Sequence, residues 1–101
     1  MSPHEATVQQ FHQAMLALYW RVERAIGCWA SYFLDGVRIC GGLAYAKMLL
    51  SRRHTDSGFH RVIDEGRPDL SPEALVLDPR FSCLFTDAEL AEAKRRLAPK
   101  Q

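Results

Sequence analysis

The sequence predicts an all-α protein, a single bundle of about five to six helices opening on a long N-terminal helix. Three observations lead there. Apolar residues recur at spacings of three and four along most of the chain, the period of a helix with one buried face. Ser-Pro starts, a Thr-x-x-Glu box and glycines fall where helices begin and end. No stretch of useful length alternates apolar and polar residues as a half-buried strand does.

The first helix starts at Ser2-Pro3-His4-Glu5. Ser2 can cap, Pro3 suits the first helical position, and Glu5 stands where a capping box wants a carboxylate. Val8, Phe11, Met15, Leu18, Tyr19, Val22, Ala25 and Ile26 then form one apolar stripe, and Gly27 supplies the stop. A helix with one apolar side is unstable alone in water and must bury that side. A second helix is expected over 29–40, with Trp29, Phe33, Val37 and Cys40 in step. Gly41-Gly42 breaks it, and Leu43, Ala46, Leu49 and Leu50 mark a third. After the polar loop Ser51–Thr55, Thr55 or Asp56 can cap a fourth helix carrying Phe59, Val62 and Ile63 up to Gly66. Ser71-Pro72-Glu73 starts a very short fifth helix, and Phe81, Leu84 and Phe85 form an apolar knot. Thr86-Asp87-Ala88-Glu89 is a second capping box. The last helix has its acids first and Lys94, Arg95 and Arg96 last, as the helix dipole favours. Glu92 and Arg96 are spaced to pair.

Size and composition narrow the function. The 101 residues make one domain, 1–101, with 48% hydrophobic and 25% charged residues, ordinary for a globular protein. Thirteen basic and twelve acidic residues leave a formal charge of +1; a dedicated nucleic-acid binder concentrates far more positive charge. The longest apolar run, Ile39 to Leu50, is interrupted by Gly41, Gly42 and Lys47, so no membrane span is expected. The start of the chain lacks the basic and apolar segments of a signal peptide. Cys28, Cys40 and Cys83 are odd in number and widely spaced. They suit reduced thiols in a cytoplasmic protein, with Cys28 and Cys40 expected to be buried and Cys83 left open.

The second half resembles a known family. Gly41-Gly42, Ala46-Lys47 and Leu49-Leu50 precede Asp56-Ser57-Gly58-Phe59, and Gly66-Arg67-Pro68-Asp69-Leu70-Ser71 runs on to Glu73-Ala74-Leu75-Val76-Leu77. Leu84-Phe85-Thr86 and Glu89-Leu90 close the string. This resembles a small bacterial all-helical domain of unknown function, over about residues 33–97. That domain stands alone or is attached to restriction, nuclease or helicase-like proteins. Pro68 stands where the family often has Leu, and Ser57-Gly58 inverts its commoner Asp-Gly order. The resemblance implies a helical fold and brings no activity and no catalytic residue.

Chemistry has little support in the residues. His4, His12, His54 and His60 form no His-x-x-x-His pair, no Cys-x-x-Cys occurs, and scattered surface histidines are expected in place of a metal site. Neither phosphate-loop nor dinucleotide-binding glycine strings appear. No cofactor, catalytic residue or small-molecule substrate is therefore expected. Two candidate surfaces remain. Tyr19 and Trp20 are adjacent and cannot both face one core. Trp20 lies about 200° around the helix from Leu18, flanked by Arg21 and Arg24, and these three form the candidate interface for a protein partner or a second copy. The alternative is nucleic-acid contact through Arg52, Arg53, His60 and Arg61. Gly66, Arg67 and Asp69 are read as structural, a helix stop followed by an Arg67–Asp69 bracket.

Overall fold

The computed structural model describes residues 2–27, 31–55 and 57–98. Cys28, Trp29, Asp56 and Pro99 lie outside them. Among the described residues the chain is all-helical: α1 (Pro3–Ile26), α2 (Ser31–Cys40), α3 (Gly42–Ser51), α4 (Ser57–Asp64), α5 (Pro72–Val76) and α6 (Asp87–Leu97). Two 3₁₀ turns, Pro68–Leu70 and Ser82–Leu84, join the later helices.

Helix α1 is the spine. The Ser2 hydroxyl accepts from the Glu5 N–H at 3.1 Å, and the Gly27 N–H closes the last turn on the Glu23 carbonyl at 2.9 Å. Phe11, Met15, Leu18, Tyr19 and Val22 are buried, each contributing about 1.5–3 kcal/mol by leaving water. Helices α2, α3 and α5 pack around this stripe, and α6 closes on α3 and α5. The Phe11 ring meets the edges of Phe81 at 5.2 Å and Phe85 at 5.4 Å, so the apolar knot between α5 and α6 docks on α1. Phe33 and Tyr45 make a similar contact between α2 and α3 at 5.5 Å.

The α2–α3 corner brings the chain close to α1. A side chain on Gly42 would have its Cβ 2.7 Å from the His12 Cα, so only glycine fits there. The Gly42 N–H donates to His12 Nδ1 at 2.9 Å. His12 therefore caps α3 from another helix and must carry its neutral-state proton on Nε2. It is a structural residue, not a scattered surface histidine.

Cys40 is exposed, against the expectation of a buried thiol, and Cys83 is exposed as well. The spacing from Phe33 and Val37 is helical, but α2 ends at Cys40 and the chain turns back into α3. Cys40 instead lines an open depression with Val8, His12 and Leu43.

At the end of α4, Gly66 has φ 73°, the left-handed backbone that glycine adopts without strain. The Gly66 N–H bonds the Ile63 carbonyl at 3.0 Å and the Arg67 N–H bonds the Val62 carbonyl at 2.9 Å. These two bonds make a Schellman stop. Helix α6 begins with a complete capping box, Thr86 accepting from the Glu89 N–H and the Glu89 carboxylate accepting from the Thr86 N–H.

Candidate functional site

The exposed side of α1 carries the first candidate surface. Trp20 is 51% exposed, while the neighbouring Tyr19 is buried and meets the indole edge-on at 4.9 Å. The ring is therefore backed by the core and open on its outer face. Arg21 lies 3.8 Å from the Asp69 carboxylate. Asp69 in turn accepts two bonds from Arg67, at 3.2 and 3.1 Å. The Arg67 hydrogen bonds are the main cause holding the Asp69 carboxyl below its usual range. The fold thus joins two groups that are far apart in sequence, Trp20–Arg21 and the Gly66–Arg67–Asp69 turn, into one surface. Arg24 is exposed and forms no ion pair with any described residue.

The basic segment Arg52–Arg61 is divided by the fold. Arg52 lines a cavity of ≈ 20 Å³ with Phe33, Leu49, Glu73 and Arg96, too small for an organic ligand. Arg53 and His60 line a different space, an open groove of ≈ 860 Å³ between α4 and the end of α6. His60 Nε2 is 2.9 Å from the Thr55 hydroxyl. Arg61 pairs with Glu65 at 3.4 Å and is not part of the groove wall. The other walls come from Ile63, Asp64, Pro68, Arg95 and Leu97. No local pattern could have named these, because only tertiary packing sets α4 beside the end of α6.

Arg96 is the residue that sequence reasoning placed worst. Its side chain is 3% exposed and that of Glu73 is 5% exposed. Arg96 donates from Nη1 to Glu73 at 2.9 Å and to the Leu49 carbonyl at 3.1 Å. Nη2 donates to the carbonyls of Arg52 at 2.9 Å and Leu50 at 3.4 Å, and Nε donates to Glu92 at 2.7 Å. One guanidinium thus serves the carbonyls of Leu50 and the cap residue Arg52 at the C-terminal end of α3, shares that of Leu49 with the Arg52 N–H, and ties α3, α5 and α6 together. Arg95 also grips Glu92, at 2.6 and 2.8 Å. Hydrogen bonds from Arg95 and then Arg96 pull the Glu92 carboxyl from 4.5 down to about 2. Across the same helices Lys47 reaches Glu89 at 2.7 Å and lies 5.1 Å from the centre of the Phe85 ring.

Among the described residues no group of three or more His, Cys, Asp or Glu side chains is placed to hold a metal ion. No described helix is long and apolar enough to cross a membrane. Comparison of the chain with protein families, with curated proteins and with solved structures gave no match.

Proposed function

We propose that this chain is a non-enzymatic protein-docking module, whose contact surface is centred on Trp20 with Arg21 and Arg24 beside it. The observation that carries the reading is the half-exposed indole, braced from behind by buried Tyr19. A braced aromatic loses little side-chain freedom on binding, and Trp and Arg are the residues most enriched at interface hot spots. The partner is a protein, or a second copy, with an apolar recess for the indole and carboxylates opposite Arg24. The family resemblance in the second half adds a context, a bacterial restriction or defence assembly. The free thiols of Cys40 and Cys83 fit a cytoplasmic setting.

Trp20→Ala tests this directly. The thermal melt should stay nearly unchanged, since the ring is half in water. Self-association by sedimentation, or capture of the partner, should weaken by about 2 kcal/mol or more, the usual hot-spot threshold. A variant that fails to fold puts Trp20 in the core and removes the reading's best residue. The second reading, a nucleic-acid accessory, has Arg53 and His60 in one groove in its favour. Arg52 beside the inner cavity and Arg61 bound to Glu65 weaken it. Salt-sensitive gel retardation of DNA or RNA would support it.

A further inference from the structure

The groove between α4 and the end of α6 is a second surface, and Trp20 takes no part in its walls. Its floor is apolar, with Phe59 and Ile63 from α4 and Leu97 from α6. Its cations come from separate segments, Arg53 after α3 and Arg95 on α6. Arg95 is already held by Glu92. Arg53 pairs with no described carboxylate. Asp64 adds one negative charge to the wall.

We infer that this groove docks a segment of a partner protein in which an apolar residue stands next to a single carboxylate. The apolar side chain covers half-buried Ile63 and Leu97 over the already buried Phe59 ring, burial that supplies affinity without direction. The carboxylate meets Arg53, which no described carboxylate holds and whose planar fork can grip both oxygens and fix the register. Asp64 repels a second acid and so selects against a polyanion. The volume of ≈ 860 Å³ suits a few side chains and lies within the usual range of ligand clefts. Nucleic acid matches less well, because its affinity grows with the number of phosphates neutralised. Only one of the groove's guanidiniums lacks a carboxylate partner among the described residues. An apolar floor is also of little use to a phosphate backbone.

Fluorescence anisotropy on the full chain tests the inference. The probe is a short fluorescein-labelled peptide with one aspartate flanked by leucines; the counterpart with one lysine in place of that aspartate and an oligothymidylate serve as competitors. The leucine–aspartate peptide should bind saturably and about tenfold more tightly than the lysine peptide. Arg53→Glu, an exposed change that leaves the helical spectrum and melt intact, should weaken it about tenfold, the scale of one charged contact. The same variant should gain affinity for the lysine peptide. Trp20→Ala should leave this binding unchanged, which separates it from docking at the α1 surface. Equal binding of the two peptides, no binding, tighter binding of the oligothymidylate, or indifference to Arg53→Glu would each overturn the inference.

Discussion

One buried ion pair accounts for much of how the later helices are fixed. Arg96 and Glu73 lie out of water with side chains 3% and 5% exposed, and ions in that position are costly unless every hydrogen bond is made. Arg96 makes five contacts that meet this demand. Arg96→Met should therefore cost about 3–5 kcal/mol in urea unfolding, because it takes the guanidinium away from the buried Glu73 carboxylate and from the carbonyls of Leu50 and Arg52. Adding Glu73→Leu should recover part of that loss, since an apolar pair leaves no buried carboxylate facing the lost cation, while the bonds from the guanidinium to the Leu50 and Arg52 carbonyls stay missing. No recovery would mean that the carbonyl contacts carry the whole effect. Nothing local in the sequence distinguishes Arg96 from Lys94 or Arg95. All three fit the basic end of a helix, and only packing against the end of α3 sets one apart. The pairing of Glu92 with Arg96 was legible from spacing; the burial was not.

Helices were legible where their signals are local. The Ser2-Pro3 start, the stops at Gly27 and Gly66 and the Thr86–Glu89 box each depend on residues within one turn. The corner at Gly41-Gly42 was readable as a turn, but its reason was not, because it lies thirty positions away at His12. The same limit explains Cys40. Its spacing marked the apolar face of α2, yet whether a face is covered at its last residue depends on where the neighbouring helices run. Gly42→Ala turns the corner into a test. In an ordinary helix this change stabilises by about 1 kcal/mol. Here the added methyl would press on the backbone of α1, which cannot step aside as a flexible side chain would. The variant should lose about 1–3 kcal/mol, as overpacked sites do. A higher melting temperature for Gly42→Ala would show that α1 and α3 are not held so closely.

Across the whole molecule, α1 sets the shape and charge pairs set the response to acid. At 1.5 Å per residue, a helix of 24 residues is about 36 Å long, close to the 40 Å long axis of the structure. The radius of gyration is 13.0 Å, about the value of 13 Å expected for one compact domain of this length. Several carboxyls around that body are held below their ordinary values. Arg95 and then Arg96 bring Glu92 to about 2, and hydrogen bonds from Arg67 and Arg80 lower Asp69 and Asp78. At Glu89 burial acts to raise the carboxyl, but the Lys47 ammonium and the Thr86 backbone together outweigh it. Unfolding disperses these partners, so in acid the unfolded chain binds more protons than the native one. Stability should then be fully present above about 4.5 and be lost as the pH falls toward about 2. The guanidinium partners of Asp69 and Asp78 are exposed, so salt blunts their share, whereas Glu92 also pairs with the buried Arg96 and is the group to isolate. Glu92→Gln should lower the urea midpoint at neutral pH, and its curve should converge with that of the wild type as the pH approaches about 2. Two curves that stay parallel through that window would place the acid sensitivity elsewhere in the molecule.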